Sequence, residues 1–230
     1  MKTHRFLGDF NFKKEQLKIT DRDLVHQLRS VLRMKPGFKF ELVNQGGEGA
    51  LVELIKIEAS SIEAKVLELL PQVKEGRKIT LFVAILKREN FELVAQKATE
   101  IGVHTLVPII TKRTVKTGLK VERLEKIINE ATEQSGRTNI MQLEETVNFT
   151  EALASIYDKK IIFDQSGDKV RKIASDSDSL AIFIGPEGGW DEGELSVARE
   201  SGFSVLSLGE TTLRAETAAI IASYLGVNEN

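Results

Sequence analysis

The chain contains no cysteine. That absence excludes disulfide staples, thiolate nucleophiles, and zinc or iron–sulfur sites ligated by sulfur. Histidine is scarce too: there are three in 230 residues, and none has a metal-ligand partner at i+3 or i+4, so no metal is expected. No apolar run approaches membrane-spanning length, and the start MKTHRFLGDF lacks the apolar core of a secretory signal, so a soluble cytoplasmic protein is expected, with no membrane partner. Three common catalytic signatures are also missing. No Gly-Lys-Ser/Thr follows a glycine loop, no G-x-G-x-x-G opens a dinucleotide site, and no Gly-x-Ser-x-Gly marks a hydrolase elbow.

What is present suits a globular core: 41% of residues are hydrophobic. The net charge of -2 hides an asymmetry, because residues 1–40 carry ten Lys or Arg against four Asp or Glu and the remainder of the chain is acidic. A second basic run holds Lys112, Arg113, Lys116, Lys120, Arg123 and Lys126, opposed by Glu122 and Glu125. Gathered cations favour polyanions, although solvated helix faces carry the same pattern.

Hydrophobic periodicity divides the chain. Thr20 is expected to cap a helix over residues 21–33, with Leu24, Leu28, Val31 and Leu32 on one stripe and Pro36-Gly37 as its stop. Strands follow at 38–44, 50–58 and 61–69, with a hairpin turn in Asn44-Gln45-Gly46-Gly47-Glu48-Gly49, so residues 1–72 read as a small β-barrel domain. The polar stretch from Pro71 to Lys78 marks a boundary, and residues 73–230 form a second domain. There ITLFVAIL (79–86), 105–110, 160–164, 180–184 and 203–208 read as buried strands. Helices over 90–102 and 121–135 alternate with them, as an α/β fold with a mostly parallel sheet requires.

Two late glycine turns carry the candidate chemistry. AIFIGPEGGWDEGE (181–194) sets Gly185 to Gly189 between a strand and a helix, whose start is marked by Asp191 and Glu194 as a capping box and whose end is marked by Gly202. Such a loop leaves backbone N–H groups free at the carboxyl end of a strand, where ligands bind in open α/β sheets. VLSLG (205–209) leads to Leu213-Arg214-Ala215-Glu216-Thr217, which places an Arg in a helix first turn against the dipole. Small apolar residues on that last helix also suit a subunit interface. Between these, Glu133, Gln134, Ser135 and Arg137 gather at a helix end that Gly136 can close.

Taken in order, His4-Arg5-Phe6, His26-Gln27-Leu28-Arg29-Ser30-Val31-Leu32-Arg33, Glu130 to Arg137, Ile184 to Trp190, and Leu208-Gly209 through Leu213 to Ala218 resemble the RsmE family of SPOUT ribosomal RNA methyltransferases. One departure is Thr138-Asn139-Ile140-Met141, where that family more often shows a basic or polar residue and a proline. The resemblance implies a PUA-like barrel that holds RNA, a trefoil-knotted catalytic domain, a homodimer, and methylation of uridine N3 in 16S ribosomal RNA of the small subunit. It also implies S-adenosyl-L-methionine bound by Ile184, Gly185, Pro186, Glu187, Gly188, Gly189, Leu208, Gly209 and Leu213.

The residues suit that chemistry. A sulfonium methyl is already electrophilic, so neither metal nor covalent nucleophile is required. The uracil must lose its N3 proton, and a guanidinium can stabilise the anion so formed; Arg214 is the candidate, with Glu216 or Glu133 as a possible base. Arg5, Arg29, Arg33 and Arg137 are the expected RNA contacts. A methyltransferase of the same superfamily acting on another RNA, or a non-enzymatic RNA-binding module, would share the basic segment. The module leaves both glycine turns without a use.

Overall fold

The structure is a computed structural model that describes residues 4–71, 76–115, 118–173 and 177–228. The expected boundary between residues 72 and 73, and Lys116 of the second basic run, lie outside the described residues. The chain forms two compact units. The first is Met1–Lys74 with Thr132–Ile140, and the second is Glu75–Ala131 with Met141–Asn230.

In the first unit, β1 (Arg5–Leu7), β2 (Gln16–Ile19), β3 (Lys39–Val43), β4 (Gly49–Ile57) and β5 (Ile62–Leu69) form one sheet in the order β1-β3-β4-β5-β2. Among the described residues only the β1–β3 pair of this sheet is parallel, and β1 and β2 stand at its two ends without pairing. Alternation sends Phe6, Phe40, Leu42, Val52, Leu54 and Ile62 inward. The hairpin closes as its residues predict, with Gly47 at φ +77° donating to the Asn44 carbonyl.

Two details of the helical segment depart from expectation. The N-cap is Asp21, not Thr20: its carboxylate accepts the Leu24 N–H at 2.8 Å, and α1 spans Arg22–His26. The chain then widens into a π-helical turn over Gln27–Val31, marked by the Leu32 N–H donating to the Gln27 carbonyl five residues back. That wider turn keeps Leu28 buried but rotates Val31, expected inward, to 64% exposure. Immediately afterwards Arg33 adopts φ +51°, a left-handed conformation that few side chains accept.

The segment Thr132–Ile140 joins this first unit although it lies far along the chain. Glu133 accepts the Leu7 N–H at 2.9 Å, Arg5 Nη1 donates to the Gly136 carbonyl, and Gly136 turns the chain at φ +80°.

The second unit holds β6 (Lys78–Ala84), α2 (Arg88–Ile101), β7 (Thr105–Ile110), α3 (Val121–Ser135, its last turn in the first unit), β8 (Gln142–Leu143) and β9 (Val147–Asn148). It continues with α4 (Phe149–Leu153), β10 (Lys159–Lys169), β11 (Ser179–Ile184), α5 (Glu192–Glu200), β12 (Ser204–Ser207) and α6 (Ala215–Asn228). The sheet is parallel throughout, in the order β12-β10-β11-β6-β7-β8, with β9 also on β7.

Period-two alternation along β11 shows how both faces are covered. Ala181 and Phe183 belong to a cluster with Phe149 of α4 and Leu195 of α5. Leu180 and Ile182 point the other way, against Gly226 of α6, where an added Cβ would lie 2.8 Å from Ile182. Phe82 and Phe183 stack at 4.2 Å between ring centroids and tie β6 to β11. β10 runs on past the expected 160–164. It pairs with β12 at Phe163, breaks register over the next residues, and pairs again at Asp168 and Lys169.

Candidate functional site

The carboxyl ends of β10, β11 and β12 meet at a cleft of about 170 Å³. Chain order reverses at this point: β10 sits between β11 and β12 but precedes both, so the loops that leave the three strands diverge and open a crevice. Three loops line it.

The first loop follows β11. Gly185 lies against the Trp190 indole, where a Cβ would sit 3.1 Å from the ring. That indole is buried, and its Nε1 donates to the Phe163 carbonyl at 2.9 Å, tying the end of β10 to the loop. The Gly189 N–H donates to the Pro186 carbonyl at 2.9 Å, and Gly189 adopts φ +68°, which favours glycine. The expected capping box is present: the Asp191 N–H donates to Glu194 at 2.9 Å and starts α5.

Outside contacts clamp this loop. Glu187 accepts the Lys87 N–H at 3.1 Å, Arg113 donates to the Gly188 carbonyl at 2.9 Å, and Lys112 Nζ donates to Asp191 at 2.8 Å. The Lys112 N–H also donates to Glu194 at 2.8 Å. The hydrogen bond from Lys112, with the Gly193 N–H and the nearby Arg113, holds the Asp191 carboxyl below the usual aspartate range. The second basic run is therefore partly committed within the protein, for Arg123 likewise pairs with Glu92 at 2.6 Å. Arg123 and Arg88 together hold the Glu92 carboxyl down to about 2.

The second loop follows β12. Ser207 Oγ donates to the Gly209 carbonyl at 2.9 Å, and Gly209 adopts φ +152°. Gln165 Nε2 donates to the Glu210 carbonyl at 3.1 Å. The third loop is the excursion of β10 itself: Asp164 accepts from the Ser166 N–H at 2.9 Å and from its hydroxyl, and Gly167 passes so close to β12 that a Cβ would lie 2.7 Å from the Leu206 backbone.

Of the expected cofactor residues, Ile184, Gly185, Pro186, Glu187, Gly189, Leu208 and Leu213 line this cleft, whereas Gly188 and Gly209 belong to its loops without lining it. Sequence reasoning missed Phe163, Asp164, Gln165, Trp190, Ser207, Thr211, Thr212, Ala215 and Ala218. A polar triplet with glycine, Asp164-Gln165-Ser166-Gly167, directly after an apolar strand is the signal that could have found the third loop.

Arg214 is not in the first turn of α6. Its carbonyl accepts the Ala218 N–H at 2.9 Å, which makes it the residue before the helix, and its side chain is 85% exposed. Glu216 is buried, with Oε1 at 3.9 Å from Arg214 Nη1. Neither residue lines the cleft, although Leu213, Ala215 and Ala218 beside them do.

Among the expected RNA contacts, Arg29 and Arg33 are exposed, and Arg29 reaches the Ala59 carbonyl at 3.3 Å. Arg29 shares a groove of the first unit with Arg22, His26 and Ser60. Arg5 is instead committed inside that unit: it is largely buried, pairs with Glu41 through Nη2 at 2.6 Å and Nε at 2.8 Å, and bonds the Gly136 carbonyl. Arg137 is half-buried, and desolvation pushes its guanidinium pKa down. Among the described residues no helix is long and apolar enough to cross a membrane, and no group of three or more His, Cys, Asp or Glu is placed to hold a metal ion.

Comparison with known proteins agrees with this geometry. The RNA methyltransferase domain family matches residues 73–225, and the RNA methyltransferase PUA domain family matches residues 19–67. Ribosomal RNA small subunit methyltransferase E of Bacillus subtilis is 30% identical, over 86% of this chain and 84% of its own length. The protein of that name from Mesomycoplasma hyopneumoniae is 32% identical, over 73% and 77%. A crystal structure of ribosomal RNA small subunit methyltransferase E from Neisseria gonorrhoeae, bound to S-adenosyl methionine, superposes with a TM-score of 0.87 at 28% identity, covering 96% of this chain and 95% of that one. With an α/β catalytic unit whose parallel sheet opens at the glycine loops, a PUA domain before it and these relatives, the chain belongs to the ribosomal RNA small subunit methyltransferase E family.

Proposed function

We propose that this protein transfers the methyl group of S-adenosyl-L-methionine to N3 of a uridine in the 16S ribosomal RNA of the small subunit. The observation that carries the proposal is the cleft at the ends of β10, β11 and β12, at the chain position of the family's methyltransferase domain. Ile184, Leu208, Leu213 and Ala218 give it apolar walls, while Asp164, Gln165 and the loop residues Gly185, Glu187 and Gly189 give it polar partners.

The cofactor, once bound, supplies an electrophilic methyl on a sulfonium, so the protein has to position uracil and stabilise its N3 anion. Arg214, exposed beside the cleft, does this by donating hydrogen bonds to a carbonyl oxygen flanking N3, with Glu216 of the first turn of α6 acting beside it. Glu133 is a structural clip, since its carboxylate is bonded to Leu7. Residues 1–72, joined by Thr132–Ile140, capture RNA through phosphate contacts from Arg29 and Arg33, and residues 73–230 carry the chemistry.

The protein works as a homodimer in the cytoplasm during ribosome biogenesis. Support for the dimer comes from α6, which is apolar on all sides yet leaves Tyr224 59% and Ile221 37% exposed. The family resemblance implies a threaded, trefoil-knotted path around β10, β11 and β12. The test is transfer of labelled methyl from the cofactor to unmodified small ribosomal subunits, followed by nucleoside analysis. Label recovered as N3-methyluridine is expected; label on another atom or base, or none, overturns the proposal.

A further inference from the structure

Resting on the methyltransferase reading above, we infer that Glu216 is not the proton acceptor of the reaction but the residue that positions Arg214, holding its guanidinium in the orientation that meets the ionised uracil.

The two carboxylate oxygens of Glu216 stand in different surroundings. Oε2 is sealed from solvent and has no hydrogen-bond partner among the described residues. Oε1 faces Arg214, with Nη1 at 3.9 Å. A general base must come within hydrogen-bond reach of the proton it takes. A sealed oxygen offers no such approach, and the outer oxygen is fronted by a cation.

A carboxylate buried with one oxygen unsatisfied is costly. Its place in the first turn of α6 offsets part of that cost, because the helix N-terminus favours negative charge. What remains is a fixed anion beneath a loosely held cation: the Glu216 side chain is 10% exposed and that of Arg214 is 85% exposed. The ion pair is open by about 1 Å relative to a charge-assisted hydrogen bond. Closing that gap fixes the long Arg214 side chain against a rigid support and sets the plane of its fork. The N–H groups of that fork left free by Glu216 then meet a carbonyl oxygen next to N3, onto which the developing charge is shared, and leave the N3 lone pair open. The N3 proton leaves to solvent water, Arg214 stabilises the anion that remains, and the N3 lone pair would take the methyl as its bond to the sulfonium sulfur breaks and leaves a neutral thioether.

The experiment is a double-mutant cycle on the full-length protein with Glu216→Gln, Arg214→Ala and the pair. Methyl transfer is read as kcat against pH, and S-adenosyl-L-methionine affinity by calorimetry. Glu216→Gln should lower kcat by roughly tenfold to a hundredfold and keep the wild-type pH dependence and cofactor affinity. Added to Arg214→Ala, it should cost nothing further. Arg214→Ala removes an exposed side chain and serves as the folded reference. Three outcomes overturn the inference: a Glu216→Gln rate that climbs tenfold per pH unit where the wild type is flat, which would make Glu216 the base; additive losses in the double variant; or lost cofactor binding in Glu216→Gln, which would make the residue structural. Absence of cofactor binding and methyl transfer in the wild type would instead remove the functional reading on which the inference stands.

Discussion

The two glycine loops that face each other across the cleft are held in opposite ways. The loop from Gly185 to Asp191 is clamped by the Lys87 backbone, Arg113 and Lys112, and it rests on the buried Trp190. The stretch from Leu208 to Arg214 is held by short local bonds from Ser207 and by two contacts from β10, the Gln165 side-chain bond and the exposed Lys169–Glu210 ion pair at 3.6 Å, and it ends in an exposed arginine. One wall is tied by segments that follow other strands, and the other by β10 and β12 alone.

The comparison can be broken most severely at Gly167, which underlies the looser wall. Gly167→Ala puts a Cβ 2.7 Å from the backbone of Val205 and Leu206, where a shift of a flexible side chain gives no relief. Overpacking of this kind costs about 1–3 kcal/mol, and more where backbone must move. Thermal unfolding should show a fall in Tm larger than that of Gly189→Ala, which carries the φ +68° strain but meets nothing within 4 Å. Equal losses would mean that the β10–β12 contact is slack.

A smaller effect is expected on the clamped wall. Asp191→Ala removes the cap of α5 and the anion that Lys112 and Arg113 share, so S-adenosyl-L-methionine affinity should fall roughly threefold to tenfold. The sign with pH follows from the lowered carboxyl. The stabilisation is present in full above the ordinary aspartate range and is lost as pH falls through the depressed folded value. The difference in Tm between wild type and Asp191→Ala should therefore narrow in acid. A gap that stays constant down to pH about 3, below the ordinary aspartate value, would show that the cation contacts contribute nothing. The smallest effect belongs to Gln165→Ala. Hydrogen exchange should quicken over residues 208–214 while Tm and the exchange of residues 185–191 stay unchanged.

Much of this arrangement was legible because it rests on local signals. The strands of the second unit announce themselves as short runs buried on both faces, and the Asp191–Glu194 box, Gly202 and Gly136 perform the capping their residue types predict. The glycine loop was found because glycine is required where Trp190 crowds Gly185 and where Gly189 turns. What escaped is set by partners distant in sequence. Nothing near Arg5 reveals Glu41 or the Gly136 carbonyl, so the pairing of this expected RNA contact within its own unit is not legible in the sequence. The π-helical turn defeated a 3.6-residue period at Val31. The wall formed by Asp164 and Gln165 depends on a register break in β10, which no periodicity encodes.

The path of the chain also bears on how the protein is made. Its N-terminal unit includes Thr132–Ile140, so the Leu7 N–H and the Arg5 side chain cannot complete their hydrogen bonds until Glu133 and Gly136 have left the ribosome. By then β6, α2 and β7 have emerged as well, and β11, the strand that pairs with β6, is still to be translated. The first unit of this chain is therefore completed only after part of the second has been made, a departure from the usual N-to-C order.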